Sequence, residues 1–190
     1  MDLVLFGIQG SGKGTQARKF AKEFGYEIFE AGGALRKIAA SGAPLGEKVK
    51  SYIDVGKLVP HEIIMQVVRE AILARPQSQK LLFDGIPRDL DQMRDFDVIM
   101  REVDRDVRCI HLTLDSEVGV KRILGRAKTE GRADDLDEAS IRRRMQLFTE
   151  KTMPVIEQYK ARGKLIEIEG NRSIDEVYAD LRNVAISNLY

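Results

Sequence analysis

The tightest constraint on the fold lies at the start of the chain. Residues 3–15, LVLFGIQGSGKGT, run from an apolar segment straight into a loop with glycines at 7, 10, 12 and 14 around one cation, Lys13. Four apolar residues in a row suit a strand buried on both faces, and a helical pattern follows from near Gly14 to about Phe24. Glycines let consecutive backbone N–H groups turn inward around an anion. The helix N-terminus adds the positive end of its dipole, and a lysine supplies a point charge for the outer phosphates of a nucleotide. The spacing Gly7-x-x-x-x-Gly12-Lys13 between strand and helix therefore reads as a phosphate-binding loop. Gly10, Ser11, Gly12, Lys13, Gly14 and Thr15 are the residues expected around a nucleoside triphosphate.

The rest of the chain repeats this alternation. Short β-rich runs at 3–6, 26–29, 80–84, 107–114 and 164–169 are separated by stretches of helical periodicity, such as 59–73, where Ile63, Ile64, Val67, Val68, Ala71 and Ile72 form one apolar stripe. Such alternation predicts an α/β fold, with a central parallel five-stranded sheet between helical layers and ligands at the carboxyl ends of the strands. With 190 residues the chain can bury one sizeable core. Its 31 basic and 30 acidic residues nearly cancel, which gives no bulk attraction for nucleic acid or a membrane surface. Any function of charge is then local. The single cysteine, Cys109, lies in the apolar run 107–114 and can form neither an internal disulfide nor a multi-cysteine metal site. No segment has the make-up of a targeting signal or the length of a membrane span, so a cytoplasmic location is expected.

Two segments break the rhythm. Residues 30–59 hold short helical pieces separated by glycines, as expected of an insertion packed on the core at its ends. Residues 127–137, AKTEGRADDLD, are polar and suit a short exposed flap between two long helices. Around the flap the sequence is dense in arginine, with Arg122, Arg126, Arg132 and the triplet Arg142, Arg143 and Arg144. Ile141, Met145 and Phe148 mark the buried face of the helix after the flap. At about 100° per residue, Arg143 then lies nearly opposite the core, while Arg144 falls at the border of the apolar face, where a side chain reaches a cleft. Elsewhere His61 is expected at an exposed first helical turn, His111 packed within a strand, and the run 101–108 as a solvated helix end.

Three motifs, taken in order, carry a resemblance. The loop ends Lys13-Gly14-Thr15-Gln16, the insertion holds Ala31-Gly32-Gly33-Ala34-Leu35-Arg36, and the third run leads into Asp84-Gly85-Ile86-Pro87-Arg88. Over essentially the whole chain this resembles the nucleoside monophosphate kinases, and the adenylate kinase family in particular. The resemblance implies a P-loop core of residues 1–29, 60–126 and 138–190, an NMP-binding insertion at 30–59 and a short lid at 127–137. It implies a monomer that transfers a phosphoryl group reversibly between ATP and AMP with magnesium, giving two ADP. On the family pattern Lys13 and its loop hold the donor phosphates, with Arg122, Arg126 and Gly170 beside the donor, and Thr15 and Asp84 hold magnesium largely through water. Gly32, Arg36, Lys57, Leu58, Val59, Gly85, Arg88 and Gln92 match the AMP site, with Arg36 and Arg88 on its phosphate and Gln92 on its adenine. Arg88, Arg126, Arg132 and Arg144 join Lys13 around the transferring group, Arg132 and Arg144 reaching the AMP side as well. Phosphoryl transfer asks for such a cluster, because catalysis there is positioning plus fixed positive charge aimed at phosphate oxygens. A lid without cysteines implies no zinc.

Several positions depart from the family pattern. Gln9 stands where the loop usually has proline, and Ile86 replaces an aromatic residue. The usual Ser/Thr-Gly-Asp-x-Leu-Arg becomes Ala31-Gly32-Gly33-Ala34-Leu35-Arg36. Gly33 removes a carboxylate usually found near the phosphates, and Ala31 resembles UMP/CMP kinases. Gln92 points to adenine, where pyrimidine kinases tend to have asparagine, and it outweighs Ala31 because its amide can make directional bonds to the base. A UMP/CMP kinase stays open as the nearest alternative. A nucleotide-binding sensor without transfer activity is a third reading, motivated by the altered 31–33 segment; retention of Lys13, Asp84 and the arginines argues against it. The segment from Glu169 to Leu181 reads equally as a turn bordering the donor base at Gly170 and as a helix start capped by Ser173.

Overall fold

The computed structural model describes residues 1–53, 59–130 and 137–188. Lys57, Leu58 and Arg132, and the side chain of Arg126, lie outside the described residues. The elements in chain order are β1 Asp2–Gly7, α1 Lys13–Phe24, β2 Tyr26–Glu30, α2 Ala31–Ala39, α3 Pro44–Ile53, α4 His61–Leu73, β3 Lys80–Asp84 and α5 Leu90–Glu102. There follow β4 Val107–Thr113, α6 Ser116–Glu130, α7 Glu138–Leu147, a π-helical turn Phe148–Thr152, α8 Met153–Ala161, β5 Leu165–Glu169 and α9 Ile174–Asn188.

Among the described residues the strands form one parallel sheet in the order β2-β3-β1-β4-β5. β1 sits at its centre and is buried at every residue, which is why its residues 3–6 are an unbroken apolar run. Val4 and Phe6 face a core shared with Val68 and Ile72 of α4, Phe96 of α5 and Tyr159 of α8. Leu3 and Leu5 face the opposite core, with Phe20 of α1 and Leu181 of α9. Two helical layers thus sandwich the sheet, and every strand delivers its carboxyl end to the same edge. A third apolar cluster joins Ile8 after β1 to Val120 and Ile123 of α6 and to Ile141 and Met145 of α7. It seats α6, whose last turn takes in residues 127–130 of the expected flap, and α7 against the start of the glycine-rich loop.

The run 101–108 departs from expectation. α5 ends at Glu102, and Arg105, far from being solvated, turns inward to pair with Asp2 at 2.9 Å, their side chains only 5% and 3% exposed. Arg105 also donates to the carbonyls of Gln79 and Pro76, and Asp2 accepts from the Leu81 amide. Both charges are satisfied, so burial is tolerated at the amino edge of the sheet. His61 is half-buried rather than exposed because its Nε2 lies 2.7 Å from Asp95 across to α5. His111 is packed, as its strand position requires.

Candidate nucleotide site

The glycine-rich loop leaves β1 and enters α1 through two residues in the left-handed region, Gly10 and Gly12, each with φ of 85°. L-residues adopt that conformation only under strain. At Gly10 there is a second constraint, since a Cβ would stand 2.7 Å from the Gly119 carbonyl oxygen and 2.9 Å from its Cα. The loop is pressed against the backbone of α6. Ser11 closes the turn by donating its amide to the Ile8 carbonyl at 3.1 Å, while its hydroxyl is buried without a hydrogen-bond partner among the described residues. α1 begins at Lys13 with no side-chain cap. Its first amides and dipole therefore point into the loop, as an anion site requires.

Parallel register sets the next residue. Leu5 of β1 pairs with Asp84 at the end of β3, so the carboxylate and the loop lysine meet. Lys13 Nζ donates to Asp84 Oδ1, with the two side chains 24% and 8% exposed. An aspartate before a helix is often its cap, but the cap of α5 is Asp89, which accepts from the Gln92 amide at 2.8 Å. Asp84 is thus left to the loop.

Arg88 is fixed by its own backbone. The Gln92 side-chain oxygen accepts from the Arg88 amide at 2.9 Å, Thr152 of the π-helical turn donates to its carbonyl at 2.8 Å, and the Arg88 guanidinium donates to the Gly85 carbonyl at 2.7 Å. The Ile86–Pro87 peptide is cis. Gln92 is buried, and one lone pair of its side-chain oxygen is taken by this bond; its NH2 group and the second lone pair remain for a base. The Arg88 guanidinium itself is exposed at the carboxyl edge. Gly32 and Arg36 lie on α2, which follows β2 directly, and Val59 precedes α4. Ala31 is 6% exposed within the core of α4 and α5. A small side chain suits that packed position.

The remaining arginines separate by environment. Arg122 donates to the carbonyls of Gly170 at 3.0 Å and Gly10 at 3.5 Å, cross-tying α6, the loop and the turn after β5. Gly170 is buried and donates to the Thr113 carbonyl at 2.7 Å. Ser173 and Glu176 exchange bonds at the start of α9, the capped helix start that one of the two sequence readings expects. On α7, Arg142 is engaged by Glu117 and Glu138, Arg143 is exposed, and Arg144 is half-buried between Ile141 and Met145. That is the borderline position its periodicity predicts.

Some positioning residues were not foreseen. Gln16, buried, donates to the Ile174 carbonyl at 2.9 Å, and Lys19 pairs with Asp175 at 2.7 Å, so α9 anchors the helix that carries Lys13. The Tyr178 hydroxyl donates to Glu23 at 2.5 Å; burial and that carboxylate push its pKa up to about 12. Thr152 is likewise buried and polar. None has a local sequence signal, because each acts on a group distant in the chain.

A cleft of about 510 Å³ opens beside the loop, lined in part by Gly14, Arg18, Glu30, Gly33, Lys37 and Asp84. The "Adenylate kinase" family model matches residues 5–164, from β1 to the last residue before β5. The chain belongs to the adenylate kinase family. Curated adenylate kinases are similar along almost all of it. One from Thermus thermophilus is 39% identical over 181 residues, 95% of this chain and 94% of the relative. That from Flavobacterium johnsoniae is 37% identical over 190 residues, covering both chains fully. One from Xanthomonas campestris pv. campestris is 39% identical over 178 residues, 93% of this chain and 95% of its own. Among the described residues no helix is long and apolar enough to cross a membrane.

Proposed function

We propose that this member of the adenylate kinase family catalyses ATP + AMP to 2 ADP, reversibly and with magnesium. The observation that carries the reading is the Lys13–Asp84 pair at the mouth of a loop whose Gly10 and Gly12 are both left-handed. A cation held by a carboxylate is ready to be handed to phosphate. Donor phosphates in the loop would compete for Lys13 and leave the Asp84 carboxylate free to help hold a metal. The buried, unpartnered Ser11 hydroxyl and the amides at the start of α1 fit such an anion.

Thr15 and Asp84 would hold magnesium, chiefly through water, and the metal when bound neutralises charge on the phosphates. Lys13 holds donor phosphates. Arg36 and Arg88 orient the AMP phosphate, one of whose oxygens attacks the γ-phosphorus as the β–γ bridging bond breaks. Arg88 suits this task because its backbone is pinned at both N–H and C=O. Arg126, Arg132 and Arg144 spread positive charge over the transferring oxygens. The NH2 of Gln92 faces the AMP adenine, and Gly32, Val59 and Gly85 border that nucleotide, with Lys57 and Leu58. Arg122 and Gly170 border the donor. Segments 30–59 and 127–137 close over core segments 1–29, 60–126 and 138–190, so that water is excluded when both nucleotides are bound. A cytoplasmic monomer suffices for this chemistry, since every group invoked comes from one chain.

The test is conversion of ADP alone, with magnesium, into ATP and AMP by the parent protein and by Arg88→Ala. Turnover that collapses in the variant supports the reading. An inactive parent, or a variant as active as its parent, refutes it, and a parent that prefers CMP or UMP over AMP replaces the acceptor.

A further inference from the structure

On this reading of the site, one carboxylate beside the loop has no role. Glu30 ends β2 in register with Asp84 at the end of β3. Neighbouring parallel strands lie about 4.8 Å apart, and registered residues leave the sheet on the same face. Tyr26 and Ile28 of β2, with Leu82 of β3, show that this face is the one packed against Phe20 of α1. Glu30 and Asp84 therefore flank the amino end of α1 together, and both line the cleft with Gly14.

Glu30 is also the residue before α2, yet its side chain makes no capping hydrogen bond there. It folds over Gly33 instead: a Cβ on residue 33 would stand 3.1 Å from Glu30 Oε2. The carboxylate occupies the space that a side chain at 33 would use. Next to a bound polyphosphate a second carboxylate is repulsive, unless a cation stands between them.

We infer that Glu30, with Asp84, faces the magnesium of a bound nucleotide through its water shell, and that Gly33 provides the room. The negative charge that the family pattern carries at residue 33 has moved to the end of the preceding strand. The inference rests on the nucleotide-binding reading above.

Calorimetric titration with ADP, in magnesium and in EDTA, gives for each protein the ratio of its two affinities without requiring turnover. Glu30→Gln should lower that ratio about tenfold, the size of effect seen when outer groups around a metal are removed. Gly33→Asp placed in a Glu30→Ala background, where that space is vacated, should restore it. A ratio in Glu30→Gln equal to the parent's overturns the inference. So does an equal weakening in both conditions, which marks a merely structural role, or a lowered ratio that Gly33→Asp leaves unchanged. Failure of the parent to bind ADP at all would instead refute the nucleotide reading.

Discussion

Gly10 and Gly12 share one backbone angle, φ of 85°, but have different neighbours. A Cβ at Gly12 meets nothing within 4 Å, whereas at Gly10 it meets the Gly119 backbone oxygen at 2.7 Å and Cα at 2.9 Å. Gly12→Ala then carries only the cost of a left-handed L-residue, about 1–2 kcal/mol. Gly10→Ala carries the same term plus overpacking, about 1–3 kcal/mol more, with no flexible side chain able to yield because both obstructing atoms are main chain. Urea unfolding measures the difference. With a slope of about 2 kcal/mol per molar, the Gly10→Ala midpoint should fall roughly 0.5–1.5 M below that of Gly12→Ala. Gly10→Ala should also lose ADP turnover beyond its stability loss, since the Gly10 carbonyl is one of the acceptors of Arg122. Equal midpoints for the two variants would refute the claim that α6 backs the loop.

Thr152→Val keeps the shape of the side chain but removes the donor to the Arg88 carbonyl. It should destabilise by about 1 kcal/mol and raise KM for AMP more than KM for ATP; steady-state kinetics with each substrate varied in turn checks the asymmetry, and equal changes would sink it. His111 has its pKa lowered by burial, an effect partly offset by Glu167. The folded protein then binds its proton more weakly than the unfolded chain, whose histidines titrate near about 6.5, so stability should fall as pH drops below that value. A His111→Asn variant should show a flatter profile there in thermal unfolding at a series of pH values; an unchanged slope would remove His111 as the cause.

The π-helical turn at Phe148–Thr152 gives the Thr152 test added interest. It lies between α7, which carries Arg144, and α8, which packs in the core with Tyr159. Its one buried polar side chain reaches across to Arg88, so two of the arginines proposed to meet phosphate are connected to a single irregular turn. Irregular turns of this kind often mark functional sites because they re-aim a side chain.

The sequence by itself determined the strands, the direction of the sheet and the loop. An apolar run followed by Gly7-x-x-x-x-Gly12-Lys13 is a local pattern, and local patterns report backbone conformation and burial directly. It also placed Arg144 at the edge of its helix face, because helical periodicity is local as well. What tertiary structure alone decided were the pairings between distant residues. The Lys13–Asp84 pair depends on β3 lying beside β1. The inward turn of Arg105 depends on Asp2, 103 residues away in the chain. That Ala31 is a packed core residue depends on α4 and α5 lying against α2. The sequence shows Gly33 as a missing carboxylate, and only the fold shows that the Glu30 carboxylate lies over the same space. In each case the deciding quantity is which side chain shares a face or a gap with which, and that is fixed by strand order and register rather than by the letters on either side.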